Sequence, residues 1–249
     1  MRHEDRWSLA QDLCARMART YPDDLLIGGA YGSTARGTDT EWSDLELLFV
    51  VRAGSRAQGH HFIYRGIAVG YRVIEETALE EILTNPSLKW PFHMGTLSVL
   101  RVLHGDPERV QGWLRLGQSV PQEKFRAALE AALPELILES YGRIHSCRER
   151  GNTRDIGLAA LEVLHEINEA LCLLNGRWIT HAYYQGLADA FTFPKLPGDY
   201  SSLVSALWDA REIDEIVPLA TRLLENFRHL LAEEGIRIIE YQSMDEIPL

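Results

Sequence analysis

Residues Tyr31–Val51 read YGSTARGTDTEWSDLELLFVV. The stretch joins a Gly-Ser turn, a short polar loop and an Asp-x-Glu pair that opens an apolar strand. Gly32 and Ser33 follow the apolar run Leu25-Leu26-Ile27, so they fall where a strand ends. Without a Cβ, Gly32 lets the backbone approach a ligand closely. Backbone N–H groups and the Ser33 hydroxyl can then hold phosphate oxygens. Asp44 and Glu46 stand two residues apart at the start of the apolar run Leu45–Val51. On a strand, positions i and i+2 share a face, roughly 6–7 Å apart. Two carboxylates on one face beside a phosphate cradle suit a magnesium ion shared with nucleotide phosphates.

A Gly-Ser pair alone reads as an ordinary turn, and Asp44 and Glu46 alone read as solvated acids. The ordered set of strand, Gly32-Ser33, Arg36, Asp44, Glu46 and apolar strand resembles the polymerase-beta-like nucleotidyltransferase superfamily. That pattern is Gly-Ser, about ten residues, then Asp-x-Asp or Asp-x-Glu; here ten residues separate Ser33 from Asp44.

Working outward, residues 5 to 19 place Trp7, Leu9, Leu13, Ala15 and Met17 among polar neighbours, a pattern for an amphipathic helix against a sheet. Leu25–Tyr31 and Leu45–Val51 are strands. His61–Tyr64 and Ile67–Ile74 read as a hairpin turning at Arg65-Gly66. Thr77 with Glu80 has the spacing of a capping box for a helix to Leu83. A short helix near Trp90, then a strand over Ser98–Leu103, precede the break at Gly105-Asp106-Pro107. After about Val120 the character becomes helical: 121 to 149, with Pro134 expected to kink or split it, then Thr153–Asn175, 181–190, 199–209 and Glu212–Glu234. Residues 236 to 241 read as a short closing strand. The expected fold is therefore an α/β nucleotidyltransferase domain over 1–120, a mixed sheet with helices, and an all-α domain over 121–249.

The 249 residues carry 25 basic and 36 acidic side chains, a formal charge of −11. An acidic chain is a poor nonspecific nucleic-acid binder, so no stable nucleic-acid partner is expected; a cationic small molecule suits it better. No apolar run approaches the ~20 residues that span a bilayer, and the opening residues lack a secretory apolar core. No membrane association and a cytoplasmic location are the expectation. Cys14, Cys147 and Cys172 have no paired spacing and read as buried structural thiols. His60-His61 reads as a hairpin-edge pair, His93 as pocket rim or core, and His165 as structural.

Along nearly its whole length the chain resembles the aminoglycoside 4'-nucleotidyltransferase (kanamycin nucleotidyltransferase) family. The likeness is strongest in YGSTARGTDTEWSDLELLFV and recurs in KWPFHMGTLSVL (89–100), ELILESYGRIHSCRE (135–149) and the segment from Leu223 to the closing Ile-Pro pair. The resemblance implies an N-terminal nucleotidyltransferase domain, a helical C-terminal domain and a homodimer with active sites between subunits. It implies that Gly32, Ser33 and Arg36 hold the triphosphate of ATP and that Asp44 and Glu46 bind Mg2+. Glu139 stands at the general base, and Arg143 where the family has a phosphate-binding lysine. Glu139 and Arg143 are also i and i+4 on one helix, the spacing of a surface salt bridge. Gly70 falls where the family carries a further active-site glutamate, with Arg72 next on the same strand face.

The expected activity is transfer of AMP from ATP to a hydroxyl of a small, aminoglycoside-like molecule. Two rivals stand beside it: the same chemistry on another antibiotic, a protein or an RNA, and a non-catalytic nucleotide-binding dimer.

Overall fold

The computed structural model describes residues 1–238 and 240–247, without the side chains at 136 and 137. The chain divides into two compact units, Met1–Val120 and Pro121–Leu249. The first runs α1 (His3–Thr20), β1 (Leu25–Tyr31), α2 (Gly32–Arg36), β2 (Leu45–Val51), β3 (His60–Tyr64), β4 (Ile67–Glu75), α3 (Glu76–Thr84), α4 (Trp90–Ser98), β5 (Arg101–His104) and α5 (Pro107–Gln118).

Its five-stranded sheet has the order β3-β4-β2-β1-β5. β1 pairs antiparallel with both β2 and β5. β2 pairs with β4 in parallel, and β3 pairs with β4 antiparallel. The β3–β4 hairpin turns at Arg65 (φ 47°) and Gly66 (φ 82°). Two positive φ values match the right-handed strand twist, as a two-residue hairpin loop requires.

One face of β2, Leu45, Leu47, Phe49 and Val51, packs with Ala10, Cys14 and Met17 of α1. The alternate residues Leu48 and Val50 are buried too, so β2 is covered on both faces, which is why it reads as a continuous apolar run. The α1 stripe differs from the one the apolar residues mark. Arg6, Ala10, Cys14 and Met17 are buried, while Ala15 is exposed. A buried arginine lies outside any apolar periodicity, and its ion pair explains it below.

α3 begins at Glu76, with Glu75 at its N-cap and no capping side chain. Thr77 thus lies inside the first turn rather than capping it. The Trp90 indole donates to Leu83 O at 3.0 Å, tying α4 to α3. α5 stands beyond the elements expected from the sequence, yet its start is locally encoded: Asp106 accepts from Glu108 N at 3.0 Å, and Pro107 opens the helix.

The second unit comprises α6 (Gln122–Arg150), α7 (Ile156–Asn175), α8 (Tyr183–Asp189), α9 (Tyr200–Asp209) and α10 (Ile213–Glu233), with 3-10 turns at Ala190–Thr192 and Met244–Glu246. α6 and α7 pack along one another, and α10 contacts α6, α7 and α9. α6 runs unbroken through Pro134, which corrects the expected split. Burial of Leu129, Leu133 and Ile144 on either side of it supplies packing that a lone helix lacks, and this offsets the lost backbone bond. A capping box of Glu212 and Glu215 opens α10. Arg126 donates to Glu234 O (2.6 Å) and Gly235 O (2.8 Å), satisfying carbonyls at its end.

Residues 236–238, 240 and 241 form no strand; a strand needs an edge to pair with, and among the described residues this unit has none. Ile239 and the Pro248 of the closing Ile-Pro pair lie outside the described residues. The three cysteines are buried and free, and burial pushes the Cys14 and Cys172 thiols up to about 12. Among the described residues no helix is long and apolar enough to cross a membrane.

Candidate active site

The β1–α2 junction and the start of β2 meet through register. Tyr31, the last residue of β1, pairs with Glu46. Glu46 pairs with Gly70 of β4, and Gly70 with His61 of β3. One row across the sheet therefore carries Tyr31, Glu46, Gly70 and His61. The His61 ring covers Gly70, where an added β-carbon would lie 2.7 Å from His61 Cδ2.

Gly32 follows Tyr31 at φ 70° and opens α2. In place of the loop expected from the sequence, Gly32–Arg36 form a single helical turn ended by Gly37 at φ 72°. The opening amides of such a turn have no acceptors within it. Arg101 Nε donates to Ala35 O at 3.2 Å, fixing the turn against β5. Gly32 also has a second role, toward Glu46. A β-carbon there would sit 2.2 Å from Glu46 Oε2, so the carboxylate occupies space that only glycine leaves.

The loop from α2 to Asp44 is held from α1. The Arg6 guanidinium, fully buried, pairs with Asp39 and donates to Thr40 O and Ser43 O, each at 2.9 Å. His3 Nδ1 lies 2.6 Å from Asp39 Oδ1 on the other side. Asp44 leaves this anchored loop exposed, and Glu46 follows half-buried.

Burial raises the Glu46 pKa, and the Asp44 charge raises it further; a hydrogen bond from Tyr31 and the charges of Arg72 and Arg36 act the other way. The net preference against a second negative charge is what a cation would relieve. Among the described residues no group of three or more metal-ligating side chains occurs. The pair fits magnesium nonetheless, since that ion takes one or two carboxylates and fills its remaining positions with water and substrate phosphates. Gly32, Ser33, Arg36, Asp44 and Glu46 are thus brought into one region of the first unit.

In sequence Arg72 stands out only as a base near Gly70, and His93 only as rim or core. Arg72 lies against the rings of Tyr31 (5.3 Å) and Phe92 (4.5 Å). Burial, then the charges of Arg72 and Lys89, lower the His93 pKa to about 4. The available signal was the strand period: Arg72 is i+2 from Gly70 and so shares its face.

Glu139 and Arg143 belong to the second unit. Arg143 pairs with Glu139 one turn away and with Glu162 of α7 at 2.6 Å. Beside them, Ser140 donates to Glu166 at 2.8 Å. Arg143 and Glu162 line a cavity of about 270 Å³ with Cys147, Asn152 and Asp155. His165 is exposed and pairs with Glu169 at 3.3 Å. His60 and His61 are exposed on the edge strand β3, as the hairpin reading expected.

No family profile matches the chain. Two curated proteins do, both named aminoglycoside nucleotidyltransferase (4'), from a Bacillus species and from Staphylococcus aureus. Each is 24% identical over 153 residues. The match spans 61% of this chain and 60% of each relative, less than the near-complete likeness read from the sequence. Among solved structures, a nucleotidyltransferase-like protein from Exiguobacterium sibiricum 255-15 aligns with TM-score 0.51 and 17% identity, over 91% of this chain and 74% of that one. The fold is accordingly nucleotidyltransferase-like.

Proposed function

We propose that the chain is a magnesium-dependent nucleotidyltransferase that moves AMP from ATP to a hydroxyl of a small, aminoglycoside-like molecule. One observation carries this reading: the Glu46 carboxylate, two residues after Asp44 in the chain, is seated against Gly32 at the opening of the β1–α2 turn. The similarity to two proteins named aminoglycoside nucleotidyltransferase (4') supports the acceptor class.

In this reading the Ser33 hydroxyl, the amides of the turn and Arg36 hold the triphosphate. Asp44 and Glu46 would hold magnesium, which when bound neutralises charge on the phosphate oxygens. The acceptor oxygen forms a bond to the α-phosphorus, the bond to the bridging oxygen breaks, and pyrophosphate leaves. Glu139 takes the acceptor's proton, a role worth ~10²–10⁴-fold in rate. Arg143 serves the departing phosphates, exchanging its pairing with Glu139 for phosphate oxygens and so freeing the carboxylate. A homodimer with active sites shared between subunits is part of the same proposal, by likeness to the family.

The test is a turnover screen of labelled ATP against a panel of aminoglycosides and other hydroxyl acceptors, with and without magnesium. Magnesium-dependent label transfer to an aminoglycoside is the expected result. Transfer to another acceptor alone overturns the substrate class, and absence of transfer to any acceptor overturns the activity.

A further inference from the structure

Arg72 lies on the face of β4 that also carries Gly70, in register with Leu48 of β2. The Tyr31 hydroxyl links it to the Glu46 carboxylate, and the rings of Tyr31 and Phe92 lie against its guanidinium. Such stacking fixes the plane of the group. Its Nε and Nη2 are buried and have no partner among the described residues. These two nitrogens share one edge of the guanidinium, and their N–H bonds run side by side. That edge is the fork which takes two oxygens of a phosphate or carboxylate at once. Buried charged donors are normally satisfied, and here a flat fork is left unpaired near Glu46.

The neighbouring charges select among oxyanions. Asp44 and Glu46 repel a free carboxylate. A phosphate that shares a cation with those same carboxylates is attracted instead. His93, its pKa lowered by burial and by the charges of Arg72 and Lys89, contributes no competing positive charge at neutral pH.

We propose that the Nε–Nη2 edge of Arg72 clamps a phosphate group of the donor nucleotide, adding a contact from β4 to those of the β1–α2 turn. The identity of the donor rests on the nucleotidyltransferase reading; the clamp itself requires only a phosphate.

Calorimetric titration of the full chain tests this with three probes in magnesium: ATP, pyrophosphate and adenosine. In Arg72→Gln, ATP and pyrophosphate affinities fall at least about tenfold, in the range of a lost charge-assisted pair, while any adenosine binding is unchanged. Arg72→Lys keeps the charge and the apolar stem but loses the fork, and it also binds both phosphates more weakly. It is the deciding variant if Arg72→Gln does not fold. Wild-type affinity for pyrophosphate in Arg72→Lys overturns the proposal, as does failure of the wild-type chain to bind either phosphate compound. Arg72-dependent binding of pyrophosphate without ATP binding sustains the clamp and sinks the nucleotidyltransferase reading. ATP binding that ignores Arg72 does the reverse.

Discussion

The Glu46 carboxylate occupies the volume that a β-carbon on Gly32 would fill, 2.2 Å from Oε2. Gly32 therefore shapes the acid as well as the turn. Gly32→Ala places an L side chain at φ 70°, costing about 1–2 kcal/mol, and it pushes Glu46 from its seat. The expected outcome is a folded protein by circular dichroism whose magnesium-dependent turnover drops on the order of 10²-fold, the cost of displacing a reacting group by about 1 Å. Turnover equal to wild type would separate the glycine from the site.

Asp44→Asn removes one metal-binding oxygen charge at an exposed position and leaves the anchored loop intact. Magnesium-dependent turnover is expected to vanish while the melting temperature stays close to wild type. A folded, fully active Asp44→Asn protein would rule out the metal role.

Glu139→Gln keeps shape and removes the base. With an acceptor that supports turnover, the rate should fall roughly 10²–10⁴-fold while ATP binding is nearly unchanged. Near-normal turnover would return the Glu139–Arg143 pair to a surface i,i+4 salt bridge.

His93 gives a pH signature. Burial, Arg72 and Lys89 hold its folded-state pKa at about 4, below its ordinary 6.5. The unfolded chain takes up the proton first, so the stability gained by keeping this ring neutral is complete above about 6.5 and is lost as pH falls toward 4. Thermal unfolding at pH 7 and pH 5 should show a smaller acid loss in His93→Asn than in wild type. Equal losses in the two proteins would place the ring in contact with solvent in the folded state.

The parts of the fold written in local pattern were legible. β1 and β2 follow from apolar runs bounded by turns, and the ends of α7 and α10 from Gly176 and Gly235, both at positive φ. The features that escaped depend on partners distant in sequence. An apolar count along α1 passes over Arg6, because its burial is made possible by Asp39 and two carbonyls over thirty positions away. Pro134 signals a break that neighbouring burial overrides. Residues 236 to 238 have strand composition but no edge to join. At the candidate site, Gly32, Asp44 and Glu46 were readable from order and spacing. The standing of Arg72 was not, since it depends on which strand lies beside β2, and the parallel β2–β4 pairing is a long-range event.

Arg6 makes the loop before Asp44 an extension of a helix it does not touch in sequence. The loop's carbonyls are gripped by a guanidinium that arrives only when α1 docks, which adds a distant anchor to the short-range turn bonds of Thr40 and Ser43. In terms of opening equilibria, the amides of Thr40 and Ser43 belong to the α1 unit and should exchange with solvent hydrogen at its pace, much more slowly than an exposed loop. A change on the far side of α1 that lets the helix fray would thus broaden the positions sampled by Asp44 without altering any residue around it.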